Sequence, residues 1–184
     1  MSWTEREIGR NLYWNTFKGK HLVVVPNCHF PGSECDMLIV RNDLRLMEVE
    51  IKISRADLKA DQHKDKWLKE WDYQTMGWPA PKRELRERIE HPVKIWKHYY
   101  AVPEGIWTDD LYAEISPKSG VIVLRDKLYM PWLRIKRQAK PNSAAQPITA
   151  NDLMKVSQSL SHRMWAAYGE IDEHRRYLKT TEAA

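Results

Sequence analysis

Cysteine is scarce in this sequence. Only Cys28 and Cys35 occur among 184 residues, so a disulfide framework is not the organising principle of the chain. With His29 they make half of a zinc-like set, but no further ligands follow at a recognisable spacing. Zinc is therefore not expected, and both cysteines read as small packing residues. Long apolar runs are missing too. Nothing approaches the ~20 residues that span a bilayer. The opening "MSWTEREIGRNLYW" is charged and amphipathic where a signal peptide would be apolar. A reducing cytoplasmic setting and no membrane partner are expected. Internal repeats and low-complexity tracts are also absent.

What is present suits a folded domain. The chain is 42% hydrophobic and 30% charged, with nine Trp and eight Tyr, which places it among globular rather than disordered sequences. Its length suits one domain with a sizeable core and an appendage. A formal charge of +5 favours polyanions such as nucleic acid, but only mildly, and fits an ordinary basic protein as well.

Read for organisation, "SWTEREIGRNLYWNTF" predicts a helix capped by Ser2 or Thr4 and ended by Gly19. "HLVVVPNC" predicts a strand stopped by Pro26. "CDMLIVR", a tight turn at "RNDL" and "RLMEVEIKI" predict a β-hairpin over 36–53. Ser54 and Asp57 form a capping-box-like start for a helix running to about Tyr73. The stretch from Thr75 to Pro92 is a break with Pro79 and Pro81, holding at most a short charged helix. Strands are predicted at "HYYAVP" and "GVIVLR", and an edge strand in "KLYMPWLRIK". Residues 137–150 have the composition of a linker between a domain over 1–136 and a tail over 151–184. In the tail, Leu153, Val156, Leu160, Met164, Ala167, Ile171 and Leu178 recur at three- and four-residue steps, which predicts one long amphipathic helix. That stripe packs on the domain or mediates a homodimer. The order of elements implies an α/β fold with a mixed sheet flanked by helices.

The third strand is unusual. In "MEVEIKI", Glu48, Glu50 and Lys52 alternate with Val49, Ile51 and Ile53. Alternate side chains share a face, so Glu50 and Lys52 point one way and the aliphatic residues point into the other layer. If the preceding strand pairs as a hairpin, Asp36 lies across from Glu50 and Lys52. Gathering ionised groups is costly unless they coordinate something. Two carboxylates and the Ile51 carbonyl suit a hard, oxygen-preferring ion such as Mg²⁺, with Mn²⁺ as a substitute. Lys52 would then position an attacking water and stabilise charge on a phosphate.

Asp36 followed by Glu50-Ile51-Lys52 resembles the motif of the PD-(D/E)xK nuclease superfamily, which includes type II restriction enzymes and archaeal Holliday junction resolvases. "TEREIGRNL" resembles the first helix of its resolvase-like branches, with Glu5 at the matching acid and Glu7 as the fallback. Ser54, Asp57-Leu58, Asp61, Lys66-Trp67 and "YYAVPEG" at 99–105 are similar to small nuclease-like proteins of bacteria and their phages, including MmcB-related DNA-repair proteins. The resemblance covers residues 2–125. It departs at Cys35, where the family's name-giving Pro would stand, which touches local backbone shape more than chemistry.

The resemblance implies a restriction-endonuclease-like three-layer α/β/α fold and a Mg²⁺-dependent DNA nuclease in the cytoplasm of a bacterial cell or phage host. It implies Asp36, Glu50, Glu5 and the Ile51 carbonyl as metal ligands, Lys52 as the group assisting water, and DNA as the partner. Two alternatives remain: a DNA- or protein-binding module without turnover, and a structural protein whose charged strand is only a solvated face. Beyond the motif, Glu48 is expected to be a supporting or surface acid. His63, Lys64 and Lys66 have a solvated helix face as their plain reading. Lys64 and Lys66 are also candidate phosphate contacts, as are Arg134, Lys136 and Arg137 with their neighbour Lys140. Trp78, between Gly77 and Pro79, is a candidate base-stacking ring.

Overall fold

The computed structural model describes residues 3–30, 32–70, 74, 81–125 and 133–182, with side chains to residue 177. Two compact units result, Met1–Ile148 and Thr149–Ala184.

The first unit opens with α1 (Glu5–Leu12). Thr4 caps it: its hydroxyl accepts the Glu7 N–H, and the Glu7 carboxylate accepts the Thr4 N–H. The helix widens over Tyr13–Phe17, and the chain reverses near Gly19, whose φ of 72° a side chain would disfavour.

Six strands follow: β1 (Val23–His29), β2 (Glu34–Val40), β3 (Leu46–Ile51), β4 (Ile95–Pro103), β5 (Gly120–Leu124) and β6 (Leu133–Arg137). They lie in sequence order in one sheet. The β3–β4 and β4–β5 pairs are parallel and the others antiparallel, so the sheet is mixed, as the element order implied. Pro26 does not stop β1. The strand runs through it because β1 is an edge strand, where a missing N–H costs no ladder bond. The predicted hairpin turn is present, closed by Leu44 N–H donating to the Arg41 carbonyl at 2.9 Å.

Apolar clusters lie on both faces of the sheet. One gathers Ile8 and Leu12 of α1 with Met37, Val49, Ile51 and Ala101. The other gathers Leu58 of α2 (Arg55–Asp61) with Trp67, Tyr100, Val102, Leu111 and Val121. All six residues of β3 are consequently buried. Its charged face, which alternation alone presents as half-solvated, is covered. Ile53 is the converse correction. It lies beyond the end of β3 and is 44% exposed, not turned into the core.

The helix after Ser54 is shorter than its sequence suggests. Ser54 caps it by accepting the Asp57 N–H, but α2 ends at Asp61, and a single 3-10 turn follows at Asp65–Trp67. In one continuous helix Asp61 and Lys66 would point roughly 140° apart. Breaking the helix brings both to the same place. Another 3-10 turn occupies Arg83–Leu85 in the segment that composition reads as a break. Within the stretch 137–150 read as a linker, residues 138–148 are tied along the first unit. Lys140 N–H donates to Lys118, Asn142 N–H to Trp96 and Ile148 N–H to Leu44.

The second unit is the predicted tail helix, α3 (Ala150–Glu182), roughly 50 Å long at 1.5 Å per residue. Thr149 and Asp152 cap its start reciprocally. No described helix is long and apolar enough to cross a membrane.

Gly120 pairs with Tyr99 across β4 and β5, and a methyl group built on it would land on the Tyr99 ring and against the Ala139 backbone. Gly120→Ala should therefore lower stability by about 1–3 kcal/mol, measurable as a lower urea midpoint. An unchanged midpoint would show that both the Tyr99 ring and the Ala139 backbone yield freely.

Candidate functional site

The register of the β2–β3 hairpin decides the first contact. Met37 pairs with Val49, so one step on Asp36 faces Glu50. The Asp36 Oδ2 accepts the Ile51 N–H at 2.7 Å, which fixes this carboxylate to the backbone of the neighbouring strand. The parallel β3–β4 pairing sets the next contacts. Glu48 lies beside His98 and Glu50 beside Tyr100. The last residue of α2, Asp61, and the chain after it, with Lys64, Lys66 and Trp67, then lie over this charged face.

The result is a dense ionic cluster centred on Glu50. Lys66 Nζ donates to Glu50 Oε1 at 2.7 Å and to Glu48 Oε1 at 2.8 Å. Lys52 Nζ donates to Glu50 Oε2 at 2.8 Å. It also has Asp61 at 3.4 Å, Asp57 at 3.8 Å and Asp36 at 4.0 Å. Lys64 Nζ lies 2.9 Å from Asp61 Oδ1 and 3.4 Å from Glu50 Oε2. Tyr100 O–H donates to Asp61 Oδ2 at 2.6 Å, and Trp67 Nε1–H does so at 3.3 Å. The side chains of Lys52 and Lys66 are only 4% and 2% exposed, whereas that of Lys64 is 47% exposed and forms the rim.

The electrostatics divide the acids into two kinds. Burial alone would raise the Glu50 pKa, but Lys66 and Lys52 outweigh it and hold the group well below the usual carboxylate range. Asp61 is likewise lowered: burial opposes ionisation, and Lys66 overcomes it. Glu48 goes the other way, to about 7, because its burial and the Glu50 charge outweigh the pull of Lys66. Asp36 rises to about 6 through its burial and the facing Glu50, against the Ile51 hydrogen bond and the distant Lys52. Burial works against the charge on Lys52 and Lys66, but the surrounding carboxylates win, and both pKa values are raised. Both lysines are thus committed cations. His98 is fully buried and its pKa falls to about 3, first by burial and then by Lys66. Its Nδ1 lies 2.9 Å from Ser119 Oγ.

Asp36, Glu50 and Lys52 are therefore brought together. Glu5 sits exposed on the first turn of α1, near enough for its charge to be felt at Asp36 but with no bond to the cluster among the described residues. Glu7 is occupied as a helix cap. Glu48 is no surface acid: it is buried against Lys66. Lys66 is no exposed phosphate contact, since breaking the helix after Asp61 buries it among three carboxylates. On β6, three strands from Glu48 and Glu50 by way of β4 and β5, Arg137 donates to the Ser119 and Ser116 carbonyls and covers the Tyr112 ring, a structural role. Lys136 pairs with Asp109 at 3.4 Å, and Arg134 is exposed. Trp78 lies outside the described residues.

Hard oxygen donors for a divalent ion are present at Asp36, Glu50 and the Ile51 carbonyl. Asp36 accepts the Ile51 N–H and has Lys52 4.0 Å away. Among the described residues no set of three His, Cys, Asp or Glu side chains forms a ready cage. Both Glu50 oxygens already accept from lysines, so an ion there would compete with an ammonium.

No protein-family model matches the chain, and no curated protein does. Its structure is similar to that of a protein of unknown function from Silicibacter pomeroyi, at 15% identity and a TM-score of 0.47, over 83% of this chain and 81% of that one.

Two outcomes test this description of the cluster. Lys66→Met should destabilise the fold by about 3–5 kcal/mol, because it strands Glu48 and Glu50 without their shared cation. Adding Glu48→Gln should recover part of that loss in denaturant unfolding, and strict additivity would refute the pairing. His98 gives a pH signature. Its folded pKa lies below the ordinary 6.5, so its contribution is complete above about pH 6.5 and is lost as pH falls toward 3. Wild type should therefore lose more stability than His98→Gln between pH 7 and pH 4.5, in urea titrations at each pH.

Proposed function

We propose that the chain is a Mg²⁺-dependent DNA nuclease with a restriction-endonuclease-like three-layer arrangement, hydrolysing phosphodiester bonds at Asp36, Glu50 and Lys52. One observation carries the reading: Lys52 Nζ stands 2.8 Å from Glu50 and 4.0 Å from Asp36 at the adjoining ends of β2 and β3. Asp36, Glu50 and the Ile51 carbonyl would hold the ion, with Glu5 adding charge from α1. Such an ion polarises a phosphate and acidifies bound water.

The protein's own groups would do the rest. Lys52 is held as an ammonium, so it acts as a donor that orients water and stabilises negative charge on the phosphate, not as the proton acceptor. Asp61 and Tyr100 keep Lys52 in place, since Asp61 is itself fixed by the Tyr100 hydroxyl. Lys66 holds one oxygen of Glu50 and leaves the other to Lys52 and Lys64.

The same cluster favours a second reading on one specific point. With a lysine on each Glu50 oxygen, that carboxylate is neutralised without a metal, which suits a DNA- or protein-binding module that has no turnover.

The test is cleavage of linear, nicked and branched DNA in Mg²⁺, Mn²⁺ or EDTA. Wild type should cut only with metal. Asp36→Asn, Glu50→Gln and Lys52→Met should each lose about 100-fold or more in rate. Calorimetric Mn²⁺ binding should vanish in Glu50→Gln. A wild type that binds DNA equally well with EDTA and never cuts belongs to the second reading.

A further inference from the structure

Beside the ionic cluster lies a separate cleft of about 200 Å³, whose lining includes His63, Lys64, Arg83, Glu84, Arg86 and Arg88. Its charge is strongly one-sided. Arg83 is balanced by Asp65, its Nε donating to Oδ1 at 2.6 Å. Arg86 and Arg88 have no acidic partner among the described residues and donate only to carbonyls. Arg86 reaches the Lys69 carbonyl through Nε and Nη2, at 3.2 and 2.5 Å, and Arg88 reaches the Gln62 carbonyl through Nη2 at 2.7 Å.

The backbone beneath them is pinned. Lys69 N–H donates to Glu87 at 2.8 Å and Ile89 N–H to Trp67 at 2.9 Å, with an antiparallel bridge between Leu68 and Arg88. Arg86 and Arg88 both line the cleft. Two guanidinium groups are thus ordered in advance with charge and further N–H donors to spare. Such pre-ordering lowers the entropy lost when an anion binds. The cleft also leads somewhere. Lys64 lines it and at the same time reaches Glu50 and Asp61 at 3.4 and 2.9 Å.

We propose that this cleft is the track for the phosphodiester backbone of the DNA strand being cut, with Arg86 and Arg88 as its phosphate-binding groups and Lys64 as the link to the Asp36–Glu50 site. The identity of the polymer rests on the nuclease reading. The assignment moves the DNA-contacting surface away from the basic run on β6.

The full-length chain is titrated with a fluorescent DNA oligonucleotide in EDTA, from about 50 to 200 mM salt, and the slope of log K against log salt is read. Arg86→Gln/Arg88→Gln should weaken binding and flatten the slope by about two, roughly one per lost phosphate contact. Arg134→Gln/Lys136→Gln should leave the slope unchanged. An arginine pair that matters only for folding would lower the unfolding midpoint with the slope intact, and that result overturns the proposal. So does a slope that responds to the β6 variant instead, or a wild type that binds no DNA.

A measurement on wild type avoids any folding defect. Phenylglyoxal modification of Arg86 and Arg88, followed by mass spectrometry, should slow when DNA is bound, and unprotected arginines refute the track. Lys52→Met keeps the two ideas apart. If it binds like wild type but fails to cut while the arginine variants bind normally, the track is wrong and the nuclease reading stands.

Discussion

Everything around the charged face of β3 depends on how Glu50 is neutralised. A carboxylate buried between a sheet and its covering chain would ordinarily take up a proton. Here two ammonium groups approach opposite oxygens, and the ionised form wins by a wide margin. That arrangement dictates the path of the backbone. Lys52 comes from the end of the strand itself. Lys66 arrives only because the helix after Ser54 stops at Asp61 and a tight turn redirects the chain. The sheet, the break in the helix and the charge balance are one solution to one problem.

The neighbouring strand completes it. Parallel pairing places His98 and Tyr100 on the same face as Glu48 and Glu50. Tyr100 spends its hydroxyl on Asp61, while His98, enclosed edge-on by the Trp67 and Tyr100 rings, stays neutral. Buried ion clusters of this kind are weak sources of net stability, because desolvation cancels most of the attraction. Their benefit is a fixed geometry. Lys52 is held within 4.0 Å of four carboxylates and has little freedom to wander.

Much of this was legible in the sequence where the signal is local. Alternation in "MEVEIKI", the turn at "RNDL" and the cap at Ser54 were enough to place Asp36 opposite Glu50, and the order of elements was enough to imply a mixed sheet. The rest depends on contacts between distant segments. Nothing near Lys66 states that its helix breaks early, so its polar setting reads as a solvated face. The pairing of Glu48 with His98 depends on the register of two parallel strands joined by a long crossover, which no local pattern encodes. One clue was available. A histidine at the same parity as Tyr100 and Val102, in a strand otherwise built for burial, signals a partner on the covered face. Pro26 misleads for the opposite reason: its effect depends on whether the strand is central or at an edge.

The short backbone clip between residues 67–69 and 87–89 has a consequence for how the fold can open. Lys66 adjoins the clip in sequence, and its ammonium is buried against Glu48 and Glu50. Freeing the main chain at Trp67 loosens the neighbouring lysine, and withdrawing the lysine strains the main chain. The clip and the ionic centre therefore come apart as one cooperative unit, so local fluctuations cannot easily expose the two glutamates without breaking backbone hydrogen bonds as well.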